Sequence, residues 1–578
     1  MIHSPCPCRK RLWRVGIAIL AALICAESSC TLAGRIWSNA GEKVLKPAQL
    51  ETPPPPSPVR AQIGPHVLIF ALDGAGHDQL MAAIFSGKAP NMAALLGEDY
   101  GSGVFDHGYS APATISVLPS STIADWSAIF TGQPPAVNGV TGDEWFERDK
   151  MQFFAPVPVS VHDTTDLTKA LTEDLVGKQL ETPTLYQLVK ARSYVSLLAI
   201  YHGATLFTTF DPNASFPNLV TSLIKGELAG ESPEKSLSAR VDLDSAQKVG
   251  KAINEHGMPD LQVVYFPGID IFTHVSKDPL KSQVAYLENV TDKGVGEVLN
   301  VYRQKGVFDH TYVIFIADHG HIPTLADERH AIDATGPESP SPLLEKTGFR
   351  VRKPAITLAN GDQDYQAVLA YQGFMAYLYL ADRATCPKKG DVCEWKKPPR
   401  YYRDVLPVLR GLFRDNRTGL PVAQLKGSID LIFSRRPAAP GKAARPFEIF
   451  DGRRLVPIDE YLKRHPRPDL VELKQRMDWL GAGPHGDRAG DIVLLARACM
   501  DIPIQDRYYF AAETHYSWHG SACLQDSHVP LILAQPGGSG EDLEDIVEDS
   551  AGDAATEMDL TPLVRALLKH GVAAASAR

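Results

Sequence analysis

The residues able to do chemistry in this 578-residue chain gather where apolar runs break off on polar pairs. Val313 to Ala317 is an unbroken apolar run, the pattern of a strand buried on both faces, and it stops at Asp318-His319-Gly320. A carboxylate and an imidazole side by side at the carboxyl end of such a strand occupy the place where open α/β sheets put their ligands. Val67 to Leu72 ends in the same way on Asp73-Gly74, and Leu261 to Phe266 leads into Asp270-Ile-Phe-Thr-His274. His519-Gly precedes a last apolar run, His528 to Ala534. Singly each has an ordinary explanation: Asp-Gly is a common turn, Asp270 could cap a helix, His519 could be a surface histidine. Together they offer six oxygen and nitrogen donors. That set suits two borderline divalent ions, zinc above all, which at about 4 Å separation form a clamp for in-line displacement at phosphorus. A nucleophile is supplied by Pro119-Ser-Ser-Thr122. A hydroxyl opening a helix has the positive end of the helix dipole beneath it, although Thr122 would serve equally as a plain N-cap.

The elements that must position these residues alternate. Strands are expected at Val67 to Leu72, Ser193 to Tyr201, Leu261 to Phe266, Val313 to Ala317 and His528 to Ala534, and helices at Gln79 to Leu96, Pro279 to Lys305 and Leu560 to Leu568. Alternation of this kind implies a three-layer α/β sandwich, a central and largely parallel sheet flanked by helices, within residues 63–570. Phe374 to Ala381 and Asp491 to Ala496 read as further strands. Residues 385–490, rich in Pro and basic residues, read as an inserted cap subdomain whose charge is a solvated face.

Composition bounds the rest. With 44% hydrophobic residues the chain can bury a large core, and a net charge of −10 leaves no footprint for a nucleic-acid polymer. Arg9, Lys10, Arg11 and Arg14 precede an apolar run from Val15 to Cys25 and then small residues up to Gly34, which describes an export signal in residues 1–34. The run is short for a membrane span. Thr31-Leu32-Ala33 suits a signal peptidase, while Cys30 lacks the Leu that a lipoprotein site wants at Glu27. Cleaved export to the periplasm or cell exterior is therefore expected, with a retained N-terminal membrane anchor as the alternative. Residues 35–62, with Pro53 to Pro56, form a Pro-rich linker. Four cysteines remain after the leader, and Cys386 and Cys393 enclose a short polar loop that fits a disulfide in an oxidising compartment.

Five motifs in this order resemble those of the alkaline phosphatase superfamily, most closely its nucleotide pyrophosphatase/phosphodiesterase branch. They are Asp73-Gly74, Pro119-Ser-Ser-Thr122 with Thr131-Gly132 nine residues on, Asp270-x-x-x-His274, Ala317-Asp-His-Gly320, and His519-Gly with His528-Val-Pro-Leu. The resemblance implies a metal-dependent hydrolase of small phosphate esters, with Thr122 transiently phosphorylated. It implies that Asp73, Asp318 and His319 hold the zinc that activates Thr122, itself a ligand, and that Asp270, His274 and His519 hold the second. One position departs from the pattern. Where the family has an Asn that donates to the phosphoryl group, this chain has Asp143, which would repel an anionic ester unless a neighbour such as Lys150 neutralises it or it is protonated. His202 and His321 are further pocket histidines without an assigned role. Thr122, in place of a Cys or Ser in a C/S-x-P-x-R run, argues against a sulfatase. The rivals are a phosphomonoesterase on the same metal core and a non-catalytic surface binding protein that keeps the fold.

Overall fold

The Val67–Leu72 run reaches the middle of a sheet because it carries no side chain that needs water, and every residue of its strand β1 (His66–Leu72) is buried. In the computed structural model of the chain, the residues described are 65–208, 232–353, 363–438, 442–552 and 554–576. The expected export signal and linker lie outside them. Ile63–Arg578 form one compact unit.

Nine strands make the central sheet of the described residues: β1, β2 (Asp99–Gly101), β3 (Val104–Phe105), β4 (Gly108–Ser110), β5 (Ser193–Ser196), β6 (Leu206–Thr208), β7 (Leu261–Phe266), β8 (Thr311–Ile316) and β9 (Leu531–Ala534). Their order is β2-β3-β4-β9-β8-β1-β7-β5-β6. The five strands from β8 to β6 run parallel. β9 and β4 pair antiparallel beyond β8, and β3 and β2 carry the sheet to its edge. Side chains alternate across β1, so Val67, Ile69 and Ala71 enter one apolar cluster while Leu68, Phe70 and Leu72 enter another. These two cores are the seams of a three-layer α/β sandwich.

The register matters most for function. Ala71 lies opposite Ile316 on one side and Tyr265 on the other. Two residues beyond, Asp73 and Asp318 therefore leave the sheet at the same level, and the chain after β7 turns at Pro267 into a helix beside them. Of the helices, four position the site: α1 (Thr122–Thr131), α2 (Thr165–Thr172), α3 (Gly268–Val275) and α4 (Leu473–Gly481).

Three elements differ from the sequence expectation. The strand expected over Ser193 to Tyr201 stops at Ser196, because Leu197 turns into the left-handed region at φ 69°. The helix expected over Gln79 to Leu96 is two, His77–Phe85 and Pro90–Leu96, parted by Gly87 at φ 75° and by Pro90, which opens the second. The last strand begins at Leu531 and not His528, after Pro530.

A second, antiparallel sheet has the strand order Ala367–Gln372, Met375–Leu380, Ile492–Ala496, Ile429–Ser434, Glu448–Phe450 and Leu455–Val456. Residues 385–490 supply its last three strands and α4, and residues on either side supply the first three. Two disulfides, Cys386–Cys393 and Cys499–Cys523, close loops at this end of the chain. No helix of the described residues is long and apolar enough to cross a membrane.

Candidate active site at the carboxyl end of the central sheet

The strand ends bring two sets of donors together. Asp73, Asp318 and His319 have ligand atoms within 4.8 Å of one another, as do Asp270, His274 and His519. The sets abut, since Asp270, His319 and His321 satisfy the same distance. His319 Nε2 stands 3.6 Å from Asp73 Oδ1 and 3.5 Å from Asp318 Oδ2. On α3 a spacing of four puts Asp270 and His274 on one face, with Nε2 3.2 Å from Oδ1, and His519 Nε2 comes to 3.7 Å from the same oxygen. Gly74 is required where it stands: at φ 71°, a Cβ there would lie 2.7 Å from His321 Nε2 and 2.9 Å from Asp270 Cβ. Its backbone N–H donates to Asp318 Oδ1 at 2.9 Å.

Hydrogen bonding fixes which ring nitrogen faces the site. Nδ1 of His274 donates to Ser517 O at 2.6 Å, that of His519 to Ser120 O at 3.0 Å, and that of His319 to Gly320 O at 3.1 Å. A carbonyl accepts only, so each neutral ring carries its proton on Nδ1 and turns the Nε2 lone pair inward. Backbone-anchored histidines of this kind are how proteins hold metal ligands in orientation. Asp73 Oδ1, Asp318 Oδ2 and Asp270 Oδ1 are buried without a hydrogen-bond donor. Burial, reinforced by the neighbouring carboxylates, pushes Asp73 and Asp318 well above the usual carboxylate range. Burial alone would raise Asp270 too, but His274 and His321 beside it outweigh burial and hold this carboxyl low, and Asp270 in turn raises His274 against the pull of burial. Burial lowers His319, to about 3, and holds His519 well below the ordinary histidine value. The lone pairs and the orphaned carboxylate oxygens, with ring protonation suppressed at His319 and His519, call for positive charge at this place, and two divalent ions fit the donors.

Thr122 is the first residue of α1, after Ser121 in extended conformation. Its Oγ1 lies 3.3 Å from His319 Nε2, beside the first donor set. The loop before it is pinned from below. Ser120 Oγ donates to Ser521 O at 2.9 Å and accepts from Arg476 Nη2 at 2.7 Å. Arg476, fully buried on α4, also donates to Val117 O and Ser527 Oγ. A residue from the 385–490 stretch thus supports the turn that presents Thr122.

Asp143 is buried, and its Oδ1 accepts from Ile123 N at 2.9 Å, one of the N–H groups that the start of α1 leaves unpaired. Lys150 does not reach it. That ammonium pairs with Glu147 at 2.8 Å across the tip of a hairpin, because strands Trp145–Glu147 and Gln152–Phe154 fold it back on its own neighbour. Protonation is what remains: burial pushes Asp143 up to about 7, against the pull of the Ile123 N–H.

Thr122, Asp143, Asp73, Asp270, His274 and His519 all line one cavity of about 230 Å³. His202 does not enter it and pairs with Asp174. His321 is completely buried behind it, with Nε2 3.1 Å from Asp270 Oδ1 and Nδ1 3.0 Å from Ser517 Oγ. Sequence reasoning passed over His515, which lines the cavity with its ring 5.1 Å from that of His274. Its spacing of four from His519 was the available signal. It also passed over Tyr265, whose hydroxyl donates to Asp73 Oδ2, and over Arg476.

Comparisons with known proteins give the family and the fold. The family profile of type I phosphodiesterase / nucleotide pyrophosphatase matches residues 67–388, more than half of the chain. The chain belongs to this family, within the alkaline phosphatase superfamily, and is by class a phosphoester hydrolase. Among solved structures, wild type alkaline phosphatase PafA is similar at 16% identity with a TM-score of 0.53, covering 88% of this chain and 96% of that one, a likeness of fold. Murine ectonucleotide pyrophosphatase / phosphodiesterase 5 aligns at 12% identity and a TM-score of 0.48, covering 87% and 95%. Phosphonoacetate hydrolase from Sinorhizobium meliloti 1021 aligns at 17% identity and a TM-score of 0.43, covering 87% and 96%. No curated protein sequence matches the chain.

Proposed function

We propose that the protein is an exported phosphodiesterase that works with two divalent ions, zinc by preference, through a covalent intermediate on Thr122. The observation that carries this reading is the convergence, beside Thr122 Oγ1, of three Nε2 lone pairs and three unpaired carboxylate oxygens. Asp73, Asp318, His319 and Thr122 would hold one ion, and Asp270, His274 and His519 the other. When bound, the ions supply Lewis-acid charge that favours the threonine alkoxide and the departing ester oxygen.

The chain's own groups then have these tasks. Thr122 Oγ1 gives up its proton to solvent and forms its bond to phosphorus as the opposite P–O bond breaks, the departing oxygen taking a proton from solvent. The retained ester stays on phosphorus, and water releases it from Thr122 in the second half. Protonated Asp143, its Oδ1 held by the Ile123 N–H at the helix start, faces the phosphoryl oxygens. Among the described residues lining the cavity there is no Lys or Arg. That favours the singly charged diester over the nearly dianionic monoester. The two disulfides support the exported location. Metal analysis together with turnover of a p-nitrophenyl diester by wild type and Thr122→Ala tests the reading. It expects about two metals per chain in both proteins and turnover in the wild type alone. A metal-free active protein, or an active Thr122→Ala, would sink it.

A further inference from the structure

The cavity has two chemically different ends. The polar end holds Thr122, Asp143 and the donor sets. Most of the rest of its wall is apolar and comes from separate segments of the fold: Trp126 on α1, Val159 in the loop after the hairpin, Leu171 on α2, Leu198 beyond β5 and Ile271 on α3, each buried. Trp126 stands four residues after Thr122, one turn along the same face of α1, so the apolar wall begins beside the nucleophile. Only at the rim does charge return, where His162 and Glu513 form a half-exposed pair at 3.1 Å. Among the described lining residues there is no Asn or Gln, and, as above, no Lys or Arg. Against such a wall a nucleobase would meet only scattered partners, the unpaired Nε1 donors of Trp126 and Trp518 and the Thr164 hydroxyl, too few to match its hydrogen-bonding edge, and a second phosphate would meet no cation.

We propose that the substrates are phosphodiesters whose retained ester group is a compact apolar one, alkyl or aryl, and not a nucleoside. This deepens the phosphodiesterase reading and rests on it. The placement follows from in-line geometry. The leaving oxygen lies opposite Thr122 Oγ1, so the groups flanking Thr122 on its own helix, Ile123 and Trp126, face the substituents that stay on phosphorus. The cavity's size, about 230 Å³, suits a short chain or a single ring. Each methylene moved from water into such a wall is expected to gain roughly fourfold in kcat/KM until the cavity is full.

The experiment is a series of p-nitrophenyl phosphodiesters sharing one leaving group, with methyl, ethyl, butyl, phenyl or 5′-thymidyl as the retained ester, assayed on the metal-loaded wild type. Butyl or phenyl should exceed methyl at least tenfold and should exceed thymidyl. A faster butyl ester marks an aliphatic occupant and a faster phenyl ester an aromatic one. A flat series, or thymidyl in front, overturns the proposal. Narrowing the wall with Ala170→Phe should cut the butyl-to-methyl ratio at least fivefold, and an unchanged ratio counts against the cavity as the binding place. Calorimetry on Thr122→Ala gives a readout without turnover: methyl butyl phosphate should bind at least tenfold more tightly than dimethyl phosphate, and equal affinities would overturn the proposal. Were no ester turned over at all, the hydrolase reading would fall, while this binding comparison would still decide the subsite.

Discussion

Replacing Asp143 by Asn gives the sharpest test of how the site handles charge. The side chain sits at the start of α1 with Oδ1 2.9 Å from Ile123 N, and burial raises it to about 7. At pH 6 roughly nine-tenths of a group with that pKa is protonated and can donate to a phosphoryl oxygen. At pH 8.5 only about 3% is, a change of about thirtyfold in the competent form. The ionised remainder faces the ester with a like charge. Two unit charges about 4 Å apart at a surface-like dielectric repel by roughly 4 kcal/mol, of which bound dications would offset part. Even about 1.4 kcal/mol left over is tenfold in rate. A monoester, with nearly two charges, suffers more than a diester with one. Asp143→Asn should therefore raise the ratio of monoester to diester kcat/KM about tenfold or more at pH 8.5. At pH 6, where the wild-type carboxyl is mostly protonated, the gain should shrink. The monoester's own second ionisation, near 6, is common to both proteins and cancels. The assay is kcat/KM for p-nitrophenyl phosphate and a matched diester, in both proteins at both pH values. A ratio that does not rise at pH 8.5 would show that Asp143 does not face the phosphoryl group.

Three further outcomes are expected. His519→Ala should lose about one of two metals and most of the turnover, because its Nε2 belongs to the Asp270–His274 donor set; metal analysis of the purified variant checks this. Arg476→Leu should destabilise the fold by roughly 2–4 kcal/mol in denaturant titration, since Ser120 Oγ, Ser527 Oγ and Val117 O lose a shared buried donor, and kcat should fall as the turn before Thr122 loosens. Replacing Cys499 and Cys523 by Ala opens a loop with a sequence separation of 24 and should cost about 3 kcal/mol, and His519, four residues before Cys523, should hold its metal less tightly.

Much of this site was legible in the sequence because its donors sit at the ends of strands with no ambiguity of period. A fully apolar run such as Val313 to Ala317 has one reading in an α/β chain, and the parallel register then sets Asp73 and Asp318 level without further information. The pair on α3 was equally plain, since a spacing of four puts both residues on one helical face. What could not be read was tertiary. Nothing around Arg476 in its helix distinguishes it from a solvated arginine, yet it is completely buried under the turn before Thr122. Lys150 is near Asp143 in sequence, but a hairpin turns it to Glu147. The apolar wall of the cavity draws on five segments far apart in the chain, and the spacing of Leu167, Ala170 and Leu171 on α2 marks a buried helical face without saying what that face lines. Leu198 shows the same limit: as part of a presumed strand it reads as core, and only the turn at Leu197 brings it to the cavity.

The central claim is that Thr122 carries the phosphoryl group between two half-reactions. Acid quenching during turnover of a slow diester, followed by peptide mapping by mass spectrometry, measures this directly. The account predicts one phosphoryl group with its retained ester on the peptide containing Thr122, absent from metal-stripped enzyme and from Thr122→Ala. Steady turnover with that peptide unmodified, or with the modification on another residue, would contradict it.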